Sequence, residues 1–229
     1  MYFIVDENKK IAYGWSAKSG CSHIKKLVHF LIYNDVNYPI HSGTDFKQLP
    51  YNEMENYTII IFVRNPYKRL VSGFLNKYRL HGGFRDLWKD DKNITFRDFV
   101  DELIKDEWVK IDKHHFTQQT SEKYNEELIN KSKQIEMYDI EKIDYKHFEN
   151  MYNIKIPEEV LNFRGNHVRS KYKKDFTKVV WDLNMPEYFN FNVETKLFYN
   201  TEIKDKVYNF YKNDFVFLKK NGFDYENTI

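Results

Sequence analysis

The sequence has one cysteine, Cys21, in 229 residues. No intrachain disulfide can form and no four-thiolate metal site can assemble, so neither a cystine framework nor a zinc-ribbon scaffold holds this chain together. Eight glycines and five prolines are too few for a low-complexity protein, and no repeat or Gly/Ser linker interrupts the sequence. Long apolar runs are also missing: nothing reaches the length of a membrane span. The amino terminus, Met1-Tyr2-Phe3-Ile4-Val5-Asp6, lacks the basic segment and apolar stretch of a secretion signal. The expectation is a cytoplasmic chain with no membrane span. Charge of one sign is absent too. Thirty-six Lys and Arg against 34 Asp and Glu leave a net charge of +2, which argues against nucleic acid as a partner and confines any anion site to a local cluster.

What is present reads as a globular chain, 41% hydrophobic and 31% charged, with one compact domain expected over residues 1–229. The apolar segment Ile11-Ala12-Tyr13 meets a loop, Gly14 to Ser22. A helix follows, in which Ile24, Leu27, Val28 and Leu31 share one face and Lys25 and Lys26 point away from it. Tyr57-Thr58-Ile59-Ile60-Ile61-Phe62-Val63 is a β-branched run without alternation, as in a central parallel strand covered on both faces. It ends at Arg64-Asn65-Pro66, where Pro suits a first helical turn, and Leu70, Val71, Phe74 and Leu75 continue at helical spacing. Two successive strand-loop-helix units predict an α/β sheet with helices packed over it.

Farther along, Thr95 caps a helix with the buried stripe Phe96, Phe99, Val100, Leu103 and Ile104. The remainder reads mostly as helix, with 134–140 ambiguous. One long final helix is expected from about Thr201 to Asn221, closed by Gly222 in the left-handed conformation.

Chemistry concentrates in the two loops that follow the strands. Lys18-Ser19-Gly20-Cys21-Ser22 stands where a strand gives way to a helix, so successive amides and the positive end of the helix dipole converge there. Gly20 permits close backbone approach, Ser19 and Ser22 add hydroxyls, and Lys18 adds a full charge. An exposed lysine beside an ordinary helix cap reads the same way. Arg64, however, leaves a buried strand at its carboxyl end, the ligand-binding edge of open α/β sheets, and Arg69 and Ser72 follow on the next helix.

The segment 18–22 resembles the 5′-phosphosulfate loop of sulfotransferases that use 3′-phosphoadenosine 5′-phosphosulfate (PAPS). Arg64-Asn65-Pro66-Tyr67-Lys68-Arg69-Leu70-Val71-Ser72-Gly73-Phe74 resembles their 3′-phosphate motif, with Asn65 where Asp is usual. Three later segments fall in the order found in the Golgi carbohydrate sulfotransferases of the chondroitin and related glycan type: Thr95 to Val100, His115-Phe116-Thr117-Gln118-Gln119, and Tyr208 to Tyr225. The middle segment lacks the Pro and Trp common in that family, and the cysteines and membrane anchor of the Golgi enzymes have no counterpart.

The resemblance implies a three-layer, P-loop-like α/β fold with a mostly parallel central sheet flanked by helices. It also implies in-line sulfuryl transfer from PAPS to a hydroxyl, on a carbohydrate by preference, with 3′,5′-ADP as product and no metal. Lys18 with Ser19, Gly20, Cys21 and Ser22 would bind the 5′-phosphosulfate, and Arg64 and Ser72 the 3′-phosphate. The acceptor hydroxyl needs a base, for which histidine is suited near neutral pH. His115 is the candidate and His114 its immediate rival, with Asp and Glu open. Within the basic stretch 164–174, Arg169 and Ser170 are candidate donor contacts or members of a solvated loop. Trp15 and Phe74 are candidates for adenine stacking or for the core. Two other classes stay open: a nucleotide-dependent kinase, against which the lack of a Gly-Lys-Ser/Thr triplet argues, and a non-catalytic anion- or glycan-binding protein.

Overall fold

A computed structural model of the protein describes residues 1–37, 51–77, 94–105, 112–120, 131–163, 174–188 and 190–229. In chain order the elements are β1 (Tyr2–Asp6), β2 (Ile11–Trp15), α1 (Cys21–Tyr33), a 3₁₀ segment (Tyr51–Asn56), β3 (Thr58–Val63), α2 (Pro66–Leu75), α3 (Phe96–Leu103), α4 (Lys113–Phe116), β4 (Gln134–Asp139), α5 (Tyr145–Tyr152) and α6 (Glu158–Leu161). There follow β5 (Asp175–Phe176), α7 (Met185–Tyr188), β6 (Asn192–Val193), a 3₁₀ turn (Thr195–Phe198), α8 (Thr201–Phe210) and α9 (Lys212–Lys220). The chain forms two compact units, Met1–Arg64 with Gln119–Gly165, and Asn65–Gln118 with Asn166–Ile229. Among the described residues no helix is long and apolar enough to cross a membrane.

The first unit holds a four-stranded sheet in the order β1-β2-β3-β4. β3 is parallel to both of its neighbours, and β1 closes one edge antiparallel to β2. This is the mostly parallel α/β arrangement expected. The run Ile59 to Val63 is buried on both sides of the strand, which explains its lack of polar alternation. On one face, Tyr13, Ile60 and Phe62 pack with Ile24, Leu27, Val28 and Leu31 of α1, with Phe148 of α5 and with Val160 of α6.

Three details depart from the sequence reading. β2 runs on through Gly14 and Trp15. Gly14 is needed there because a Cβ would stand 2.9 Å from Phe3 Cε1 on β1. The ambiguous stretch 134–140 supplies the edge strand β4. Lys26 does not face water: it is 7% exposed, its stem is buried, and its ammonium pairs with Glu159 of α6 at 2.8 Å and lies over the Phe163 ring.

In the second unit, Thr95 and Asp98 form a reciprocal capping box at the start of α3, and Phe96, Phe99, Val100 and Leu103 are buried as predicted. Ile104 is the exception, 42% exposed at the helix end, where the chain has left the stripe. The long final helix is broken at Tyr211 (φ −100°, ψ 23°) into α8 and α9. Tyr211 is buried and its hydroxyl donates to the Phe116 carbonyl at 2.9 Å. Gly222 has φ +88°, as its position after the last helix requires.

Candidate active site

In the first unit, β2 and β3 are adjacent and parallel, so the loops that leave them emerge on one edge of the sheet. The loop after β2 turns tightly, with the Ser19 amide donating to the Ser16 carbonyl at 3.2 Å. Lys18 (φ +65°) and Gly20 (φ +69°) are both left-handed. For lysine that conformation costs roughly 1–2 kcal/mol, strain of the kind that collects at ligand-binding loops. At Gly20 a side chain would be doubly opposed, because a Cβ would also stand 3.3 Å from Ile140 Cδ1. Gly20 opens the thirteen-residue helix α1, which has no side-chain cap and no acidic residue in its first turn. Such a helix start leaves its leading amides to an outside acceptor. The Ser19 hydroxyl, expected to face an anion, is instead buried and donates to Gln119; the leading amides, the Ser22 hydroxyl and Lys18 are the groups of this loop that suit a phosphate or phosphosulfate.

Arg64, the residue after β3, meets this loop directly: its Nη1 donates to the Lys18 carbonyl at 2.9 Å. Gln119 ties the two together. Its Oε1 accepts from Ser19 Oγ at 2.8 Å and from the Arg64 amide at 3.0 Å, while its Nε2 donates to the Arg64 carbonyl at 2.8 Å. Two loops far apart in sequence are thus one hydrogen-bonded assembly. On its other side α1 is fixed by His23, whose ring meets the Phe163 carbonyl at 3.2 Å and the Tyr145 hydroxyl at 2.9 Å. Phe163 precedes the stretch 164–173, and Arg169 and Ser170 lie outside the described residues.

In the second unit, Asn65 caps α2 by accepting from the Tyr67 amide at 2.9 Å, and Pro66 takes the first helical position. Asn65 Nδ2 also donates to Thr228 Oγ1 at 2.7 Å. An Asp would cap equally well but has no N–H for Thr228. Ser72 lies partly exposed on α2. Arg69 has a structural post instead: it is buried and its Nη1 donates to the Thr117 carbonyl at 2.7 Å. Burial pushes the neighbouring Tyr211 phenol well up, against the opposing pull of Arg69.

The Arg69 bond, the Tyr211 bond to Phe116 and the packing of Phe116 on α2 fasten α4, which carries both candidate histidines. Gly73 makes the last of these possible, since a Cβ there would stand 2.7 Å from Phe116 Cε1. Gly73→Ala is therefore expected to destabilise the protein by about 1–3 kcal/mol, read from denaturation midpoints. Adding Phe116→Leu should recover part of that loss, because it removes the ring the methyl would strike.

Asp112 caps α4 and also holds the His115 ring, with Nδ1 2.7 and 2.8 Å from its two carboxylate oxygens. Lys77 Nζ lies 3.4 Å from the same carboxylate. Burial raises the Asp112 carboxyl, but the His115 hydrogen bond and charge, together with Lys77, more than offset this and hold it below its ordinary value. A carboxylate on Nδ1 fixes the tautomer and leaves Nε2 as the basic nitrogen. His114 is exposed on the same turn, its ring edge-on to His115 at 4.6 Å. Asp112 was not singled out in the sequence, though Asp three residues before a histidine is a readable cap signal. The aromatic alternatives resolve to packing. Phe74 is fully buried among Phe96, Phe99 and Phe198. Trp15 is 1% exposed, stacked on Tyr2 with Lys25 above its ring.

The chain matches the sulfotransferase family over residues 1–221 and belongs to that family. Within it, the human protein carbohydrate sulfotransferase 9 is 33% identical over 87 residues, a match that covers 32% of this chain and 20% of that protein. This places the chain in relation to the carbohydrate sulfotransferases. No solved structure matches it.

Proposed function

We propose that the protein transfers a sulfuryl group from PAPS to a hydroxyl of a carbohydrate acceptor. The observation that carries this reading is the direct tie between the two loops: Arg64 Nη1 on the Lys18 carbonyl at 2.9 Å, with Gln119 bridging Arg64 and Ser19. Lys18, the backbone amides of residues 19–22 and the Ser22 hydroxyl would take the 5′-phosphosulfate, and Arg64 with Ser72 the 3′-phosphate. Arg169 and Ser170 would add donor contacts. The bound donor supplies the sulfuryl group and a phosphate leaving group. The acceptor oxygen bonds to sulfur as the bond from sulfur to the bridging oxygen breaks, and the hydroxyl proton passes to His115 Nε2, with His114 as the rival base. Fixed positive charge at Lys18 would stabilise the charge that builds on the leaving oxygen. The preference for a sugar rests on the human carbohydrate sulfotransferase similar to part of the chain.

A thermal-shift comparison tests the donor. At about a hundredfold excess over Kd, a ligand of the native state adds roughly 2.7 kcal/mol, a rise of roughly 5–10 °C for a chain of this size. 3′,5′-ADP is expected to give that rise and 5′-AMP or ATP-magnesium a much smaller one at equal concentration. Equal shifts from all three would remove PAPS as the donor.

A further inference from the structure

We infer that Gln119 is a positioning residue that holds the two loops at one separation, and that this separation makes the chain selective for a nucleotide with anionic groups at both its 5′ and 3′ positions. The inference rests on the donor reading above and adds to it the device that sets donor selectivity.

Gln119 is 1% exposed. A carboxamide oxygen has two lone pairs, and both are used here, one on the Ser19 hydroxyl and one on the Arg64 amide. The amide nitrogen then returns a hydrogen bond to the Arg64 carbonyl. Both backbone groups of Arg64 are thereby met by one planar side chain, as a neighbouring strand would meet them. Arg64 lies one residue past the last rung of the β3–β4 ladder, Val63 opposite Asp139. The circuit closes on itself: Ser19 to Gln119, Gln119 to Arg64, and the Arg64 guanidinium to the carbonyl of Lys18, the residue bonded to Ser19. Ser16 extends it, with its Oγ 2.9 Å from Ser19 Oγ. A closed buried circuit is stiffer than its bonds taken singly, and opening it at any member frees the others.

The circuit needs an oxygen that accepts twice beside a nitrogen that donates; an ionised carboxylate lacks the donor and a thioether supplies neither group in strength. A ligand with a single anionic end engages one loop and is indifferent to the spacing. A ligand with two ends registers it. Gln119 touches neither end in this account, and its effect passes through Ser19 and Arg64.

The test is calorimetric titration of the full chain and of Gln119→Met and Gln119→Glu with 3′,5′-ADP and 5′-AMP, with denaturation midpoints measured on the same samples. Wild type is read first: if it does not prefer 3′,5′-ADP, the donor reading itself fails, and this inference with it. Given that preference, Gln119→Met is expected to weaken 3′,5′-ADP by about tenfold or more, the effect of leaving buried partners unmet, and 5′-AMP by less than about threefold. Gln119→Glu keeps the acceptor and loses the donor, so its selectivity should fall between Met and wild type; it carries the comparison alone if the Met variant does not fold. A fall of the same factor for both nucleotides in the variants would reduce Gln119 to an ordinary core residue and overturn the inference.

Discussion

His115→Ala is expected to lower kcat by about 10²- to 10⁴-fold, the contribution typical of a positioned acid–base group, while leaving the Kd for 3′,5′-ADP within about twofold. The expectation follows from the Asp112 contact. With the carboxylate on Nδ1 at 2.7 Å, the imidazole is held in one tautomer and one orientation, and Nε2 is the nitrogen left to take a proton. His114→Ala serves as the control, exposed on the same turn and expected to keep most of the turnover. The reverse pattern would move the base to His114. Asp112→Asn should lower kcat less than loss of the ring does, since the imidazole remains but its orientation is no longer enforced. The same variant has a signature in stability. A carboxyl held below its ordinary value in the folded protein adds stability that is fully present above its unfolded-state pKa and is lost as pH falls through its folded-state pKa. Asp112→Asn should therefore flatten the fall in stability from roughly pH 4 downward, seen in denaturation midpoints across an acid series.

Arg64→Ala is expected to weaken 3′,5′-ADP by about 10- to 100-fold, since hydrogen bonds to charged groups contribute roughly 1.5–3 kcal/mol. Titration with 3′,5′-ADP and 5′-AMP separates its two effects. Loss of the 3′-phosphate contact falls on 3′,5′-ADP alone, whereas loss of the bond to the Lys18 carbonyl loosens the first loop and costs 5′-AMP a smaller factor. Arg64→Lys should recover little, because an ammonium lacks the planar fork that reaches a carbonyl and an anion together. Unchanged 3′,5′-ADP affinity in Arg64→Ala would strip the residue of its ligand role and leave it a brace for the loop.

The parts of the fold legible in the sequence were those in which local chemistry and burial point the same way. The unbroken apolar run of β3, the Asn65-Pro66 start of α2 and the capping box at Thr95 each carry a backbone demand that few residue types meet. What escaped depends on the rest of the fold. Lys26 reads as a surface residue until Glu159 and Phe163 come against it. Val207, Tyr211 and Leu218 keep helical spacing across the break at Tyr211, so periodicity alone reads one helix where there are two. β4 is an edge strand, half-buried along most of its length, and lacks the signal that a strand covered on both faces gives.

At the site the division is similar. The placement of residues 18–22 between β2 and α1, and of Arg64 directly after β3, is legible because strand, loop and helix start succeed one another in the sequence. That the two loops share hydrogen bonds is not legible, since it depends on Gln119 arriving from a distant part of the chain. Arg69 and Gly73 sit inside the same motif as Ser72 but act on α4, through the Thr117 carbonyl and the Phe116 ring, a role visible only in three dimensions.

The central claim is that one nucleotide is held by both loops, and a crystal structure of the protein with 3′,5′-ADP tests it most directly. The account predicts the 5′-phosphate on the amides of residues 19–22 and the 3′-phosphate of the same molecule within hydrogen-bonding reach of the Arg64 guanidinium. A nucleotide bound through one loop alone, with Arg64 turned from its 3′-phosphate, would contradict it.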